Sequence, residues 1–202
     1  MEASLSSMKV KTVTIWFVAA ALIVGGSILT VGLRASTESA RYKVLEKSGK
    51  IEIRQYAEHL VAATSMSGAG GNGSFGRLFR YISGENKDSK KIAMTTPVFM
   101  PATPNGRTTE MQFVVPVDVA QSGAPAPSSK SVSLKRMPSG RYAAIRYGGR
   151  SNAKVQKERL AELRAYLAEE GLEPVGNPLF AGYDPPWTPA PLRRNEVLLR
   201  LR

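Results

Sequence analysis

Two stretches of this chain repeat one pattern 81 positions apart. IEIRQYAEHLVAATSMSG, from Ile51, aligns without a gap with VSLKRMPSGRYAAIRYGG, from Val132. Ile51 meets Val132, Ile53 meets Leu134, Arg54 meets Lys135, and Ala62-Ala63 meet Ala143-Ala144. Both copies alternate apolar and polar residues, the period of a half-buried strand. Each is followed by a helical pattern and then by two further strand patterns. Such a repeat predicts two βαββ halves in one domain. Alternating strands also resemble one another by chance, and spacing alone leaves that reading open. If the halves are real, two short helices cannot cover both faces of the sheet, so a curved or partly closed sheet is expected.

Local signals place the elements. YKVLEKSGKIEIRQY reads as a β-hairpin turning at Ser48-Gly49, and HLVAATSM as the next strand. The Gly/Ser stretch SGAGGNGS is a flexible connection, from which Ser74 caps the helix SFGRLFRYISG. Phe75, Leu78, Phe79 and Ile82 fall on one helical face, with Arg77, Arg80 and Tyr81 off it and Gly84 ending the helix. KKIAMTTPVFMP reads as a strand, with Pro97 at its edge or start. EMQFVVPV is another, and residues 120–130 form a linker without periodicity. SVSLKRM and RYAAIRY are strands. Ser151 or Asn152 then caps a long helix with the stripe Leu160, Leu163, Leu167, closed by Gly171. A Pro-rich turn region and a last strand, NEVLLRL, complete the chain.

Residues 13–33, VTIWFVAAALIVGGSILTVGL, carry no charge. As a helix they span about 31 Å, the thickness of a bilayer's hydrocarbon core. Lys9 and Lys11 precede the run and Arg34 follows it, which places the N-terminus in the cytoplasm by the positive-inside rule. The expected organisation is a cytoplasmic segment 1–12, a transmembrane signal anchor 13–33, a linker 34–41 and a translocated, periplasmic domain 42–202. The run is too long for a cleaved signal peptide, and its one small-residue candidate site, Gly25-Gly26-Ser27, lies inside it.

Composition closes several routes. The chain has no cysteine, which excludes disulfides, thiolate metal sites and a cysteine nucleophile. His59 is the single histidine, so no centre can use two imidazoles. No GxSxG elbow is present, and GAGGNG lacks the Lys-Ser/Thr of a phosphate loop. No catalytic constellation is visible, and the chain reads as a binding protein rather than an enzyme. Beyond residue 34 it keeps 25 basic and 15 acidic residues. These alternate along the second helix, so nucleic acid is not the expected partner, while acidic lipid suits an anchored basic domain better.

Three strings carry a family resemblance: YKVLEKSGKIEIRQY, GRLFRYISGENKDSKKIAMTTPV (Gly76–Val98) and AGYDPPWTPAPLRRNEVLL (Ala181–Leu199). They resemble the SOUL family of heme-binding proteins, in order, from about Tyr42 to the end. The resemblance implies an α+β fold, a twisted antiparallel sheet or distorted barrel of two pseudo-repeated halves with two main helices. It is similar to bacterial effector-binding domains, which keep open an alternative role as a module for another small apolar or anionic ligand. The implied function is reversible, non-covalent binding of heme or another tetrapyrrole for buffering or delivery. An apolar cleft would bury the ring and basic rim residues would pair with its propionates.

The first helix offers that mixture in Leu78, Phe79 and Ile82 beside Arg77, Arg80 and Tyr81, although its apolar residues also read as core. Met94, in the signature strand, is a further candidate. His59 is the candidate iron ligand, with Tyr56, Tyr81 and Met94 as substitutes. Tyr183-Asp184-Pro185-Pro186 and Trp187 read as a rigid loop, supported by Arg193-Arg194-Asn195-Glu196.

Overall fold

The computed structural model describes residues 38–66 and 73–202. The charge-free run 13–33 and most of the Gly/Ser connection lie outside the described residues. No described helix is long and apolar enough to cross a membrane.

The described chain forms one curled antiparallel sheet of nine strands. In sequence order these are β1 (Tyr42–Ser48), β2 (Ile51–Tyr56), β3 (His59–Ser65), β4 (Val98–Pro101), β5 (Glu110–Val114), β6 (Ser133–Met137), β7 (Gly140–Gly148), β8 (Pro174–Gly182) and β9 (Arg194–Leu201). The helices are α1 (Ser74–Ile82), α2 (Val117–Ser122) and α3 (Ala153–Glu169), with a 3-10 turn at Ala190–Leu192.

The strand order is β1-β2-β7-β9-β8-β4-β5-β3-β6. Apart from β1, it reads the same when reversed and each half exchanged for the other, with β2, β3, β4 and β5 matching β6, β7, β8 and β9. The register obeys the same symmetry. Tyr56 pairs with Gly140, and shifting the two by the repeat offset gives Met137 and His59, which also pair. Ile53 and Ala143 map in the same way onto Leu134 and Ala62. The repeat is therefore structural. Each half lends one strand to the other's side, because β2 pairs with β7 and β6 pairs with β3.

Alternation along the strands sorts the core. Ile51, Ile53, Ala143, Ile145, Val197 and Leu199 pack beneath Leu160, Leu163 and Leu167 of α3. Ala62, Phe113 and Val115 pack beneath Leu78, Tyr81 and Ile82 of α1. The intervening residues, Tyr56, Tyr142, Ala144 and Leu198, line the face turned away from both helices.

Four expectations are corrected. The signature segment is a strand only at Val98–Pro101, after a cis Thr96–Pro97 bond, with Thr95 tied by its hydroxyl to the Val114 carbonyl. The supposed turn region after α3 contains β8, whose Pro174, Gly176 and Pro178 hide a strand that bulges between Val175 and Leu179. Beside the two main helices, the short helix α2 follows Pro116 where the end of a strand and a linker were expected. Finally, Gly73 rather than Ser74 occupies the N-cap of α1, and the Ser74 hydroxyl donates to the Ser65 carbonyl instead.

Candidate functional site

The face away from the helices carries a buried polar cluster. β2 and β9 flank β7, so their alternate residues project to the same side. Glu196 has no exposed surface. Its carboxylate accepts from Arg54 at 2.6 and 3.0 Å, from Arg194 at 2.7 and 3.0 Å, and from the Tyr183 hydroxyl at 2.9 Å. Burial pushes the Glu196 carboxyl up, but the bonds and charges of Arg54 and Arg194 outweigh it and hold the group below the usual carboxylate range. Arg54 lies 4.3 Å from the centroid of the Tyr42 ring, and Arg194 lies 3.9 Å from that of Tyr183. Burial, with the neighbouring Glu196 charge adding to it, drives the Tyr183 hydroxyl up, so it stays a neutral donor.

Arg54 also donates to Glu52 at 2.8 Å, and here the cluster reaches a surface groove. This groove, of about 590 Å³, is lined by Lys47, Gly49, Lys50 and Glu52 of the β1–β2 hairpin, by Arg146, Tyr147 and Gly148 of β7, and by Pro191 to Arg194. The volume is that of a small-molecule site. Five cations face one carboxylate. Arg194 is engaged by Glu196, and Arg193 by the carbonyls of Thr188 and Pro186. Lys47 and Lys50 make half-exposed pairs with Glu52 and Glu162. Arg146 is exposed and has no carboxylate partner among the described residues. Tyr147, Pro191 and Leu192 supply apolar surface. Burial raises the Tyr147 hydroxyl, which pairs with Ser151 at 2.9 Å.

The sequence-derived candidates on α1 do not meet in an open cleft. Leu78, Tyr81 and Ile82 are buried, with the Tyr81 hydroxyl donating to Pro125 and pushed up to about 12 by burial. Phe79 is 50% exposed and stacks on Phe75, which is 43% exposed and meets Phe113 edge-on. Tyr81 thus exchanges roles with the two phenylalanines expected on the buried face, because its hydroxyl finds a carbonyl inside. Arg80 pairs with Glu85 at the surface. Arg77 bends back to Thr64 at 2.8 Å and to the Ser65 carbonyl at 2.6 Å. Met94 packs half-buried against the core beneath α1. The cavity beside this helix, between Arg77, Arg80, Ser129 and Ser131, is only about 10 Å³.

The small cavity and the large groove share one repeat position in their linings and differ in the rest. By the repeat offset Ser131 matches Lys50, and Thr64-Ser65 match Ile145-Arg146. Arg77 lines the small cavity. Buried Leu78 matches buried Leu160, so the counterpart of Arg77 in α3 is Arg159, which pairs with Glu162, and no α3 residue lines the groove. The repeat itself does not reveal the difference, since both helices carry an arginine just before that leucine.

His59 is buried, and its Nε2 accepts from the Arg41 backbone N–H at 2.7 Å. Its Nδ1 has no hydrogen bond of good geometry. Burial pushes the ring's pKa down, with the Ala57 carbonyl partly opposing it. His59 does not line either cavity.

Comparison with known proteins agrees with this architecture. The profile of the family described as SOUL heme-binding protein matches residues 37–200. Heme-binding protein 1 of Xenopus laevis is 27% identical over 179 residues, covering 82% of this chain and 93% of its own. The Xenopus tropicalis protein of that name is 26% identical, covering 75% and 84%, and the Bos taurus one is 27% identical, covering 61% and 66%. Among solved structures, the chain is similar in fold to the EcmrR C-terminal domain, with a TM-score of 0.51, 11% identity, and coverage of 80% of this chain and 98% of that one. An uncharacterized conserved protein from Listeria innocua gives 0.56 at 12% identity, covering 76% and 92%. With the family profile spanning nearly all of the described sheet and helices, the chain belongs to the SOUL heme-binding protein family.

Proposed function

We propose that this chain binds heme or a related tetrapyrrole reversibly, and that the ligand sits in the groove between the β1–β2 hairpin, the end of β7 and the Pro191–Arg194 segment. One observation carries the choice of site: of the two described cavities, only this groove has the volume for such a ring, and it has a surplus of cations at its edge. Arg146, Lys47 and Lys50 would pair with the propionates, Arg146 being able to do so through two parallel bonds. Tyr147, Pro191 and Leu192 would lie against the ring. The bound group brings a large apolar surface and, as heme, an iron centre. The groove lining includes neither His59 nor Met94, so ring burial and charge pairing supply the affinity. Glu52, its one carboxylate, is held by Arg54 and Lys47. This arrangement suits holding and release rather than catalysis. The charge-free run 13–33 would keep the domain at a membrane, on its extracytoplasmic side, for buffering or delivery there.

A titration of the chain with heme and with metal-free protoporphyrin tests this reading. Saturable one-to-one binding is expected, the two ligands differing by less than about tenfold, or ~1.4 kcal/mol. Arg146→Ala should weaken both by about 1.5–3 kcal/mol, the range for a bond to a charged group. Arg80→Ala should change neither. If Arg80→Ala weakens binding and Arg146→Ala does not, the ring sits on α1 instead. A Soret band altered by His59→Ala, with a large loss on removing iron, would replace ring burial by histidine ligation. Saturation only by other flat anions would favour an effector-binding module.

A further inference from the structure

Trp187 is the most exposed large apolar side chain of the described residues, at 78%. It does not sit on a loose loop. Pro185 and Pro186 precede it, and the Thr188 N–H donates to the Pro185 carbonyl at 3.0 Å. Arg193 donates to the carbonyls of Pro186 and Thr188, on either side of Trp187. The Asp184 carboxylate accepts from the Arg194 N–H at 2.5 Å. The indole is therefore held outward by a braced turn, and folding leaves its apolar surface in water. Leu192, 41% exposed, lies on the 3-10 turn that closes the same loop. Leu192 also lines the groove, together with Lys47, Lys50, Arg146 and Arg193.

A rigid aromatic tip on a loop that borders a cationic groove is the chemistry of a surface that enters the headgroup layer of an anionic bilayer. The indole partitions to the interface, leucine adds buried apolar area, and each nearby Lys or Arg is attracted to anionic headgroups. We infer that the Asp184–Leu192 loop docks on an acidic lipid surface, inserting Trp187 and Leu192 while the groove cations face the headgroups. Charge complementarity selects this occupant, since beyond residue 34 the chain carries 25 basic against 15 acidic residues. The lipid contact shares Lys47, Lys50 and Leu192 with the proposed ring site, so it is measured without tetrapyrrole, where its failure and the failure of ring binding are read separately.

The chain has two tryptophans. Trp16→Phe therefore leaves Trp187 as the sole reporter in the full-length chain. This variant is reconstituted, without tetrapyrrole, into nanodiscs of phosphatidylcholine alone or of equal parts phosphatidylcholine and phosphatidylglycerol, with brominated acyl chains as quenchers. The expected result is a blue shift and loss of Trp187 emission in the mixed lipid only. Adding Lys47→Gln and Lys50→Gln should reverse it, while leaving the circular dichroism unchanged. Leu192→Ser should reduce the quenching through lost apolar area. Emission that stays red and quenchable by aqueous iodide in both lipids overturns the inference and leaves the loop to a protein partner. Equal quenching in both lipids also overturns it, because the cations would then have no part.

Discussion

Glu196 remains ionised out of reach of water because two guanidinium groups and a phenol converge on it. Removing its charge leaves buried Arg54 with Glu52, at its edge, as the one remaining carboxylate among its hydrogen-bond partners. Glu196→Gln should therefore lower stability by about 3–5 kcal/mol, measured by urea unfolding. Tyr183→Phe loses one neutral donor and should cost about 1–3 kcal/mol. Both titrating residues of the interior also predict acid sensitivity. The folded His59 is held below its ordinary pKa of 6.5, so as pH falls through that value the unfolded chain takes up the proton first. Its contribution is complete above pH 6.5 and is lost as pH falls through the folded pKa. Glu196 acts in the same sense below 4.5. Urea midpoints should accordingly fall on acidification from pH 6.5, and His59→Phe should flatten the upper part of that decline.

At the scale of the element, the two principal helices are fastened differently. Asn152 caps α3, its side chain accepting from the Val155 N–H at 3.0 Å. Asn152→Ala should cost about 1 kcal/mol in thermal or urea unfolding. At the start of α1 no side chain caps the N-terminus, and Arg77 ties the helix to the end of β3 instead. Arg77→Ala should cost about 1–3 kcal/mol and enlarge the small cavity, with heme affinity unchanged. The cap on α3 was legible because it depends on residues within one turn. The buried face of α1 was not. Helical spacing groups Phe75, Leu78, Phe79 and Ile82, but the packing partner decides which arc turns inward. Here Tyr81 turned inward because the Pro125 carbonyl, far along the chain, accepts its hydroxyl.

For the molecule as a whole, the repeat explains the sheet. The two halves differ where Arg77 bonds the Ser65 carbonyl while Arg146, at the position of the repeat matching Ser65, lines the groove. Because Lys47, Lys50 and Arg146 are exposed, salt screens them, with a Debye length of about 10 Å at 0.1 M. Heme affinity should fall as ionic strength rises, which a titration at two salt concentrations checks.

While the register of the crossed strands came from the structure, the sequence by itself determined the two-half architecture, the long helix with its cap, and the family. These rest on period, offset and short strings, which are local or repeated. Only the tertiary structure decided that β8 is a strand despite its prolines, that His59 is buried, and that Arg77 braces the fold. It alone joined Arg54 to Glu196 across 142 positions and gathered Lys47, Arg146 and Arg193 around one groove. Those outcomes depend on which strands lie side by side after the sheet has curled. No spacing along the chain encodes that adjacency one residue at a time.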